Sequence, residues 1–202
     1  IQDLQPEEIR GRIIILPALN LPAAQAGTRV SPLDEGNLNR VFPGDPMGGP
    51  TSKIADYVEH HLLPMVDVVA DFHAGGSSLE YRPHASTHFS VGASSEHKQR
   101  SLDVVQSLGV RHVMVFERAE PHGTLPDAAM RQGVISLGGE YGGTGSVSRP
   151  GVALVQQALT HMLAFFGAQG TLPDDLPQPE VLHILGSTAY AYAPEPGLFE
   201  PA

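Results

Sequence analysis

Residues 67–76 read DVVADFHAGG, a short apolar run followed at once by a histidine and two glycines. An apolar run of this length is typical of a strand covered on both faces, as in a parallel sheet. The glycines permit a tight turn close to a ligand. The stretch therefore predicts a buried strand, Asp67–Phe72, with His73 at its carboxyl end.

Similar segments alternate along the rest of the chain. Further strands are predicted at Ile13–Leu19, His112–Phe116, Val134–Glu140 and Ser187–Ala193, and helices at Thr51–Met65, Ser94–Leu108, Thr124–Gln132 and Ser148–Ala168. Alternation of strands and helices predicts an α/β fold with a mixed, largely parallel sheet and helices on both faces. Ligands of such sheets bind outside the carboxyl ends of the strands. Asn20, His73 and Glu140 all lie at or near such ends.

Composition narrows the class of protein. The 202 residues suit one α/β domain, and their formal charge of −10 without any cluster of Lys and Arg argues against a nucleic-acid partner. No apolar run is long enough to span a bilayer and no signal peptide is visible, so we expect no membrane partner and a cytoplasmic location. The absence of cysteine excludes thiolate chemistry but leaves the compartment undecided. Assembly into a homo-oligomer is left open.

His73 has the strongest functional context among the ten histidines. It follows a buried strand, precedes two glycines, and has Asp71 two residues before it. Most of the other histidines lie in helical patterns without a second ligand at a suitable spacing. A histidine that merely satisfies a strand end is the structural alternative.

Glu140 ends a predicted strand between two pairs of glycines, in the run GGEYGG at residues 138–143. A carboxylate in this setting can approach a substrate or a metal-bound water closely, as a general base must. An exposed loop glutamate between flexible glycines is the alternative interpretation, and the spacing does not separate the two.

Arg29 and Arg40 lie in a long Gly-, Pro- and Asn-rich segment, residues 21–50, that suggests a functional loop. Two guanidinium groups beside Asn39 in an acidic protein could clamp a carboxylate through paired hydrogen bonds. Arginine side chains that hold the loop together by bonding carbonyl groups are the alternative.

Three motifs in order, AGTRVSPLDEGNLNRVFPGD (26–45), DFHAGGSSL (71–79) and GGEYGG (138–143), resemble the aspartoacylase and succinylglutamate desuccinylase family of carboxypeptidase-A-like zinc hydrolases. The resemblance implies that His73 is a zinc ligand. It also implies that Arg29 polarises the scissile carbonyl and holds the oxyanion, and that Asn39 and Arg40 bind the substrate carboxylate. Glu140 would deprotonate the zinc-bound water and then protonate the leaving amine.

The chain departs from the family in one motif. The first two zinc ligands of the family come from His-x-x-Glu, and here no histidine has a glutamate three positions later. Either that motif precedes Ile1 in a longer natural chain, or the protein is a degenerate relative, so the activity of these 202 residues alone is open. We expect residues 1–186 to form a zinc-hydrolase-like α/β domain that is incomplete at its N-terminus, and residues 187–202 to begin a small C-terminal β domain.

Three functions follow from these observations. The first is zinc-dependent hydrolysis of an amide in an N-acyl amino acid or a related small carboxylate, with the acyl group unspecified. The second is a carboxylate-binding module without catalysis, and the third is a metallocarboxypeptidase on the same fold. On the family interpretation, His73 and Glu140 should lie on the same rim of the sheet. Zinc bound by other histidines, such as His84 and His88, would contradict it.

Overall fold

The computed structural model describes residues 4–120, 122–185 and 189–197, which form one five-stranded sheet with helices packed against it. The strands are β1 (Val68–His73), β2 (His84–Ser90), β3 (His112–Arg118), β4 (Ile135–Glu140) and β5 (Glu180–Ile184). The α-helices are α1 (Leu21–Ala26), α2 (Pro50–Tyr57), α3 (Ser95–Ser107), α4 (Leu125–Gln132) and α5 (Arg149–Phe165).

The sheet is mixed and largely parallel, as predicted. Its strand order is β1-β4-β2-β3-β5. Three of the four neighbouring pairs are parallel, and only β2 and β4 run antiparallel. The carboxyl ends of β1 and β4 therefore share one rim with the amino end of β2.

The helices begin where the sequence places capping residues. Ser94 and Ser148 accept hydrogen bonds from the third backbone N–H of α3 and α5, and Thr124 and Asp127 form a reciprocal capping box at α4. The predicted helix at residues 51–65 is a continuous helical stretch in which α2 is followed by a π turn, Val58–Leu62, and a 3-10 turn, Leu63–Met65. Across the described residues, every helix is too short or too polar to traverse a bilayer.

The two faces of the sheet carry separate apolar clusters, which confirms helices on both faces. On one face, Ile135 and Leu137 of β4 pack with α3 and α5. On the other, α2 and α4 pack around residues that include Phe42 and Val134. Side chains alternate between the two faces along a strand. Positions 136, 138 and 140 of β4 therefore belong to the face that carries α4.

Two predicted strands are not formed where the sequence suggested them. Residues 12–16 pair with no strand of the described sheet, and Ile15 and Leu16 are 42% and 47% exposed. Instead of entering the sheet, this segment lies beside α2, where Leu16 and Leu19 line a groove together with residues of that helix. Of the predicted strand at 187–193, residues 187 and 188 lie outside the described part, and residues 189–193 are not in a strand. The C-terminal β domain stays a prediction.

Two strands that the sequence analysis missed complete the sheet. β2 reads HASTHFS and mixes polar with apolar residues, so it lacks the apolar run that marks the other strands. β5 pairs with β3 at the edge of the sheet and exposes three of its five residues, Glu180, Leu182 and His183. Asn20, taken as a strand-end residue, is instead the N-cap of α1.

Candidate active site

A row of three polar side chains crosses the rim at the carboxyl ends of β1 and β4. His73 of β1 and Glu140 of β4 are register partners, and Glu140 is also the partner of His84 at the start of β2. Register partners project to the same face of a sheet, so all three belong to the face that carries α4. The prediction that His73 and Glu140 share one rim is confirmed.

The His73 ring is oriented by a neighbouring carboxylate. Its Nε2 lies 2.7 Å from Oδ2 of Asp71, two residues earlier on the same face of β1. This hydrogen bond raises the pKa of His73, while partial burial acts in the opposite direction. With Nε2 engaged, Nδ1 is the ring atom available to another ligand. In a metal-bound histidine, the ring nitrogen that does not bind the metal is commonly hydrogen-bonded to a carboxylate.

Zinc is the metal to test against this rim, because a histidine supported by a carboxylate suits it. A catalytic zinc is commonly held by three protein ligands. Within residues 4–120, 122–185 and 189–197, no three His, Asp or Glu side chains come together as a group that could hold a metal ion. His73 can therefore supply one ligand, and the described residues do not complete a zinc site.

One carboxylate oxygen of Glu140, Oε2, is hidden from solvent and has no hydrogen-bond partner among the described residues. Burial raises the pKa of Glu140, partly offset by the positive charges of His73 and His84, and the negative charge of Asp71 raises it further. A carboxylate with this combination is suited to taking up and releasing a proton. The exposed-loop interpretation of Glu140 is therefore wrong.

Gly139 lets the backbone of β4 pass close to β2 beside Glu140. Its φ of +144° is one that side chains other than glycine rarely adopt. A Cβ at this position would lie 2.1 Å from the carbonyl oxygen of His84. Glycine is thus required at position 139, because the backbones of β4 and β2 are in close contact there, next to Glu140.

Arg29 is brought to this rim from the loop after α1. It is exposed, and its positive charge lowers the pKa of both His73 and Glu140. In both cases another effect on the pKa is larger. At His73 it is the hydrogen bond with Asp71, and at Glu140 it is burial. The structure therefore places a guanidinium within electrostatic range of the two central residues.

Asn39 and Arg40 lie beside the amino end of α4. The Asn39 Oδ1 accepts a hydrogen bond of 2.7 Å from the backbone N–H of Leu125, and the Phe42 N–H donates to the carbonyl of Gly123 at 3.2 Å. Arg40 donates to the backbone carbonyl of Asn39, a bond of the loop-holding kind. In the described residues, the hydrogen bonds of Asn39 and Arg40 do not reach His73 or Glu140.

The position of α4 nevertheless relates this pair to the face of the sheet that carries Glu140. α4 packs against β2 and β4 on that face and leads directly into β4 through residues 133 and 134. An ion pair of 3.0 Å between Asp127 and Arg118 joins its first turn to the carboxyl end of β3. Asn39 and Arg40, beside the amino end of α4, therefore lie on the same face of the sheet as Glu140.

The sequence analysis named His84 only as an alternative metal ligand together with His88. In the structure His84 adjoins Glu140, whereas His88 lies four residues along β2 and stacks on Phe116 with ring centroids 4.5 Å apart. The signal for β2 was the spacing of His84, Ser86 and His88 at every second position, which is typical of one face of a strand.

Comparisons with known proteins show what the chain is similar to. A sequence model of the succinylglutamate desuccinylase/aspartoacylase catalytic domain matches residues 1–166. An N-α-acetyl-L-2,4-diaminobutyric acid deacetylase from Halomonas elongata is 37% identical over 201 residues, which are 98% of this chain and 57% of that protein.

Two solved structures are similar in sequence and in fold. A succinylglutamate desuccinylase/aspartoacylase from Rhodobacter sphaeroides superposes with a TM-score of 0.86 at 35% identity, over 99% of this chain and 60% of the other. The product-bound ectoine utilization protein EutE (DoeB) from Ruegeria pomeroyi gives a TM-score of 0.84 at 32% identity, over 95% and 58%. The chain thus spans less than two thirds of the length of each of these relatives.

Proposed function

Since the chain belongs to the succinylglutamate desuccinylase/aspartoacylase family, we propose that it carries catalytic residues of an enzyme that hydrolyses the amide bond of an N-acyl amino acid or a related small carboxylate. The observation that carries the proposal is the pairing of Glu140 with His73 at the strand ends, where one buried oxygen of Glu140 has no hydrogen-bond partner in the part of the chain that the structure describes. A carboxylate poised in this way beside a candidate metal ligand suits hydrolysis.

Each polar residue of the site has a role in this proposal. Glu140 takes the proton from the attacking water and passes it to the leaving amine, which its raised pKa favours. Arg29 supplies positive charge where the oxyanion develops. Asn39 and Arg40 bind the carboxylate of the substrate, for which a guanidinium and an amide NH₂ are suitable donors.

Zinc is the proposed cofactor, with His73 contributing one ligand through Nδ1 and Asp71 fixing the ring. The described residues do not complete the ligand set. We expect the complete gene product to bind zinc and His73→Ala to lower the bound zinc per chain. Metal analysis by mass spectrometry measures both.

A short acyl group is the first candidate for the substrate. The Halomonas elongata relative is named for removal of an acetyl group from an α-amino group, and other relatives are named for removal of succinate. We therefore propose N-α-acetyl-L-2,4-diaminobutyrate as the first compound to test, followed by N-acetylaspartate and N-succinylglutamate.

The experiment measures release of the free amino acid from each compound by the complete gene product, purified with its metal. Turnover of at least one N-acyl amino acid that is lost in Glu140→Gln supports the proposal. Cleavage of peptides alone would assign the protein to the carboxypeptidases. Binding of the acylated amino acids without turnover in a zinc-loaded sample would make it a carboxylate-binding relative, and either result overturns the proposed hydrolysis.

A further inference from the structure

The amino end of α4 contains a carboxylate that is fully buried and fully engaged. Asp127 is 0% exposed. Its Oδ2 accepts hydrogen bonds from the backbone N–H of Thr124, at 3.0 Å, and from the Thr124 hydroxyl. Its Oδ1 accepts one from Nη1 of Arg118, also at 3.0 Å. These donors fix the turn that precedes α4, because all of them bind the same carboxylate.

The charge of Asp127 is maintained by the same contacts. Burial acts to raise the pKa of Asp127, but the hydrogen bonds from Thr124 and the positive charge of Arg118 outweigh it and lower the pKa below its usual value. Asp127 is therefore an anion at neutral pH, and its role is to accept hydrogen bonds rather than to exchange protons.

The turn that Asp127 fixes is the surface on which Asn39 and Arg40 lie. The Leu125 N–H, one residue after Thr124, donates to Oδ1 of Asn39 at 2.7 Å. Gly123, one residue before Thr124, faces the backbone of Arg40, and a Cβ there would lie 2.3 Å from the Arg40 carbonyl oxygen. The loop and the turn are thus in contact on both sides of Thr124.

The contact with Leu125 also decides which way the Asn39 amide faces. A backbone N–H can only donate, so the carbonyl oxygen of the amide must point to α4. Its NH₂ group is then directed away from the N–H of Leu125 and can donate to another acceptor. An amide NH₂ and the guanidinium of the next residue, Arg40, are both donors that suit a substrate carboxylate.

We propose that Asp127 and Gly123 are positioning residues that set the orientation of Asn39 and Arg40 toward the substrate carboxylate. Neither residue touches the substrate. Asp127 acts through the turn at residues 123–125, and Gly123 acts by letting the Arg40 backbone approach it. The inference rests on the proposed function, since it assigns a cause to the binding of the carboxylate there.

Asp127→Asn in the complete gene product tests the first residue. Asparagine keeps the size of the side chain but cannot hold Arg118 as a carboxylate does. We expect KM for the acylated amino acid to rise about tenfold while kcat stays within about threefold, because binding of the carboxylate is weakened and the reacting groups are untouched. Ser94→Ala removes an N-cap from α3, away from the loop, and should lower Tm without changing KM.

Gly123→Ala tests the second residue and serves if Asp127→Asn does not fold. Its methyl group must displace the Arg40 backbone, and we expect the same rise in KM with kcat preserved. If a folded variant of either residue keeps the wild-type KM, whether or not its kcat falls, the assignment for that residue is overturned. If the wild-type protein turns over no acylated amino acid, the proposed function fails instead.

Amide hydrogen exchange in the 202-residue chain gives a readout that needs no activity. The N–H of Leu125 is the first of α4 and would ordinarily lack a partner within the helix. Its bond to Asn39 should slow its exchange, and Asn39→Ala and Asp127→Asn should both restore fast exchange there. If Asp127→Asn leaves the protection of Leu125 intact, Asp127 does not position Asn39.

Discussion

Two carboxylates on the same face of the sheet, Glu140 and Asp127, are withdrawn from water and yet have opposite properties. Glu140 lies at the rim, where one of its oxygens is buried and finds no hydrogen-bond partner within the described residues, and its pKa is raised by burial. Asp127 lies under the amino end of α4 and accepts hydrogen bonds from Thr124 and Arg118. Its pKa is lowered although burial opposes the change.

The difference shows that burial alone does not decide the charge of a carboxylate. Hydrogen-bond donors stabilise the ionised form, and where they are missing the desolvation of the charge dominates. Asp127 is saturated with donors and therefore suits a structural task. In the described residues one buried oxygen of Glu140 has no donor, and such an unpaired group costs stability. Carboxylates with a shifted pKa are concentrated at functional sites.

The largest expected effect is on turnover when Glu140 loses its ability to carry a proton. Glu140→Gln in the complete gene product should lower kcat by roughly two to four orders of magnitude, the scale of a lost general base, with zinc content and substrate binding nearly unchanged. Steady-state kinetics with metal analysis measures this. Glu180→Gln makes the same change on exposed β5 and should leave kcat unaltered. Turnover near the wild-type value in Glu140→Gln would remove Glu140 from its role.

The second effect concerns stability, where the two carboxylates should differ in sign. Asp127→Ala should lower the free energy of unfolding by about 3 kcal/mol, the lower end of the range for a broken buried pair, because Arg118 is 27% exposed. Glu140→Gln should leave the free energy of unfolding unchanged or raise it, because folding disfavours the ionised Glu140. Urea denaturation of the 202-residue chain at pH 7 compares them. Equal destabilisation by both substitutions would break the comparison.

The sequence was sufficient to predict the rim because its elements are marked locally. Apolar runs that end in His73 and Glu140 identify two strands, and Thr124 with Asp127 has the spacing of a capping box. The rule that ligands bind at strand ends then brings the two residues together without knowledge of the strand order.

The remaining features depend on contacts between distant parts of the chain. β2 was missed because its faces alternate between polar and apolar residues, so His84 could not be placed beside Glu140. The bond from Leu125 to Asn39 joins residues 86 positions apart, and no local pattern signals it. The segment at residues 13–19 has a strand-like composition, but pairing depends on a neighbour that composition does not reveal.

The third effect separates the two arginines near the site. Arg29→Lys should lower kcat about tenfold with little change in KM, since an oxyanion contact strengthens in the transition state. Arg40→Lys should raise KM about tenfold with kcat nearly preserved, because an ammonium cannot form two parallel hydrogen bonds to a carboxylate. Arg111→Lys, at an exposed position, is the control. The same kinetic signature in Arg29→Lys and Arg40→Lys would contradict the assigned roles.

The smallest effect comes from His88, which lies on the same face of β2 as His84. Burial, together with the charge of Arg118, lowers the pKa of His88 to about 3. Its ring is stacked on Phe116, and its Nδ1 is buried without a hydrogen-bond partner in the described residues. His88 should thus remain neutral in the folded protein at mildly acidic pH.

The sign of the pH dependence follows from this difference between folded and unfolded states. In the unfolded chain a histidine takes up a proton near pH 6.5, whereas folded His88 does so only near pH 3. The stabilising contribution is therefore present above pH 6.5 and is lost as the pH falls toward 3. From pH 6 to pH 5 the loss should be about 1 kcal/mol.

His88→Phe should remove this dependence, because phenylalanine can stack on Phe116 and cannot titrate. Denaturation of the 202-residue chain at pH 6 and pH 5 should show the wild type losing about 1 kcal/mol more than His88→Phe between the two values. Phe116→Leu disturbs the same stacked pair without removing a titrating group, so its stability relative to wild type should be equal at both pH values. A parallel pH response of wild type and His88→Phe would mean that His88 accepts a proton in the folded state. Burial without a hydrogen-bond partner would then not be enough to keep a side chain on this face uncharged. The contrast between Glu140 and Asp127 would need another cause.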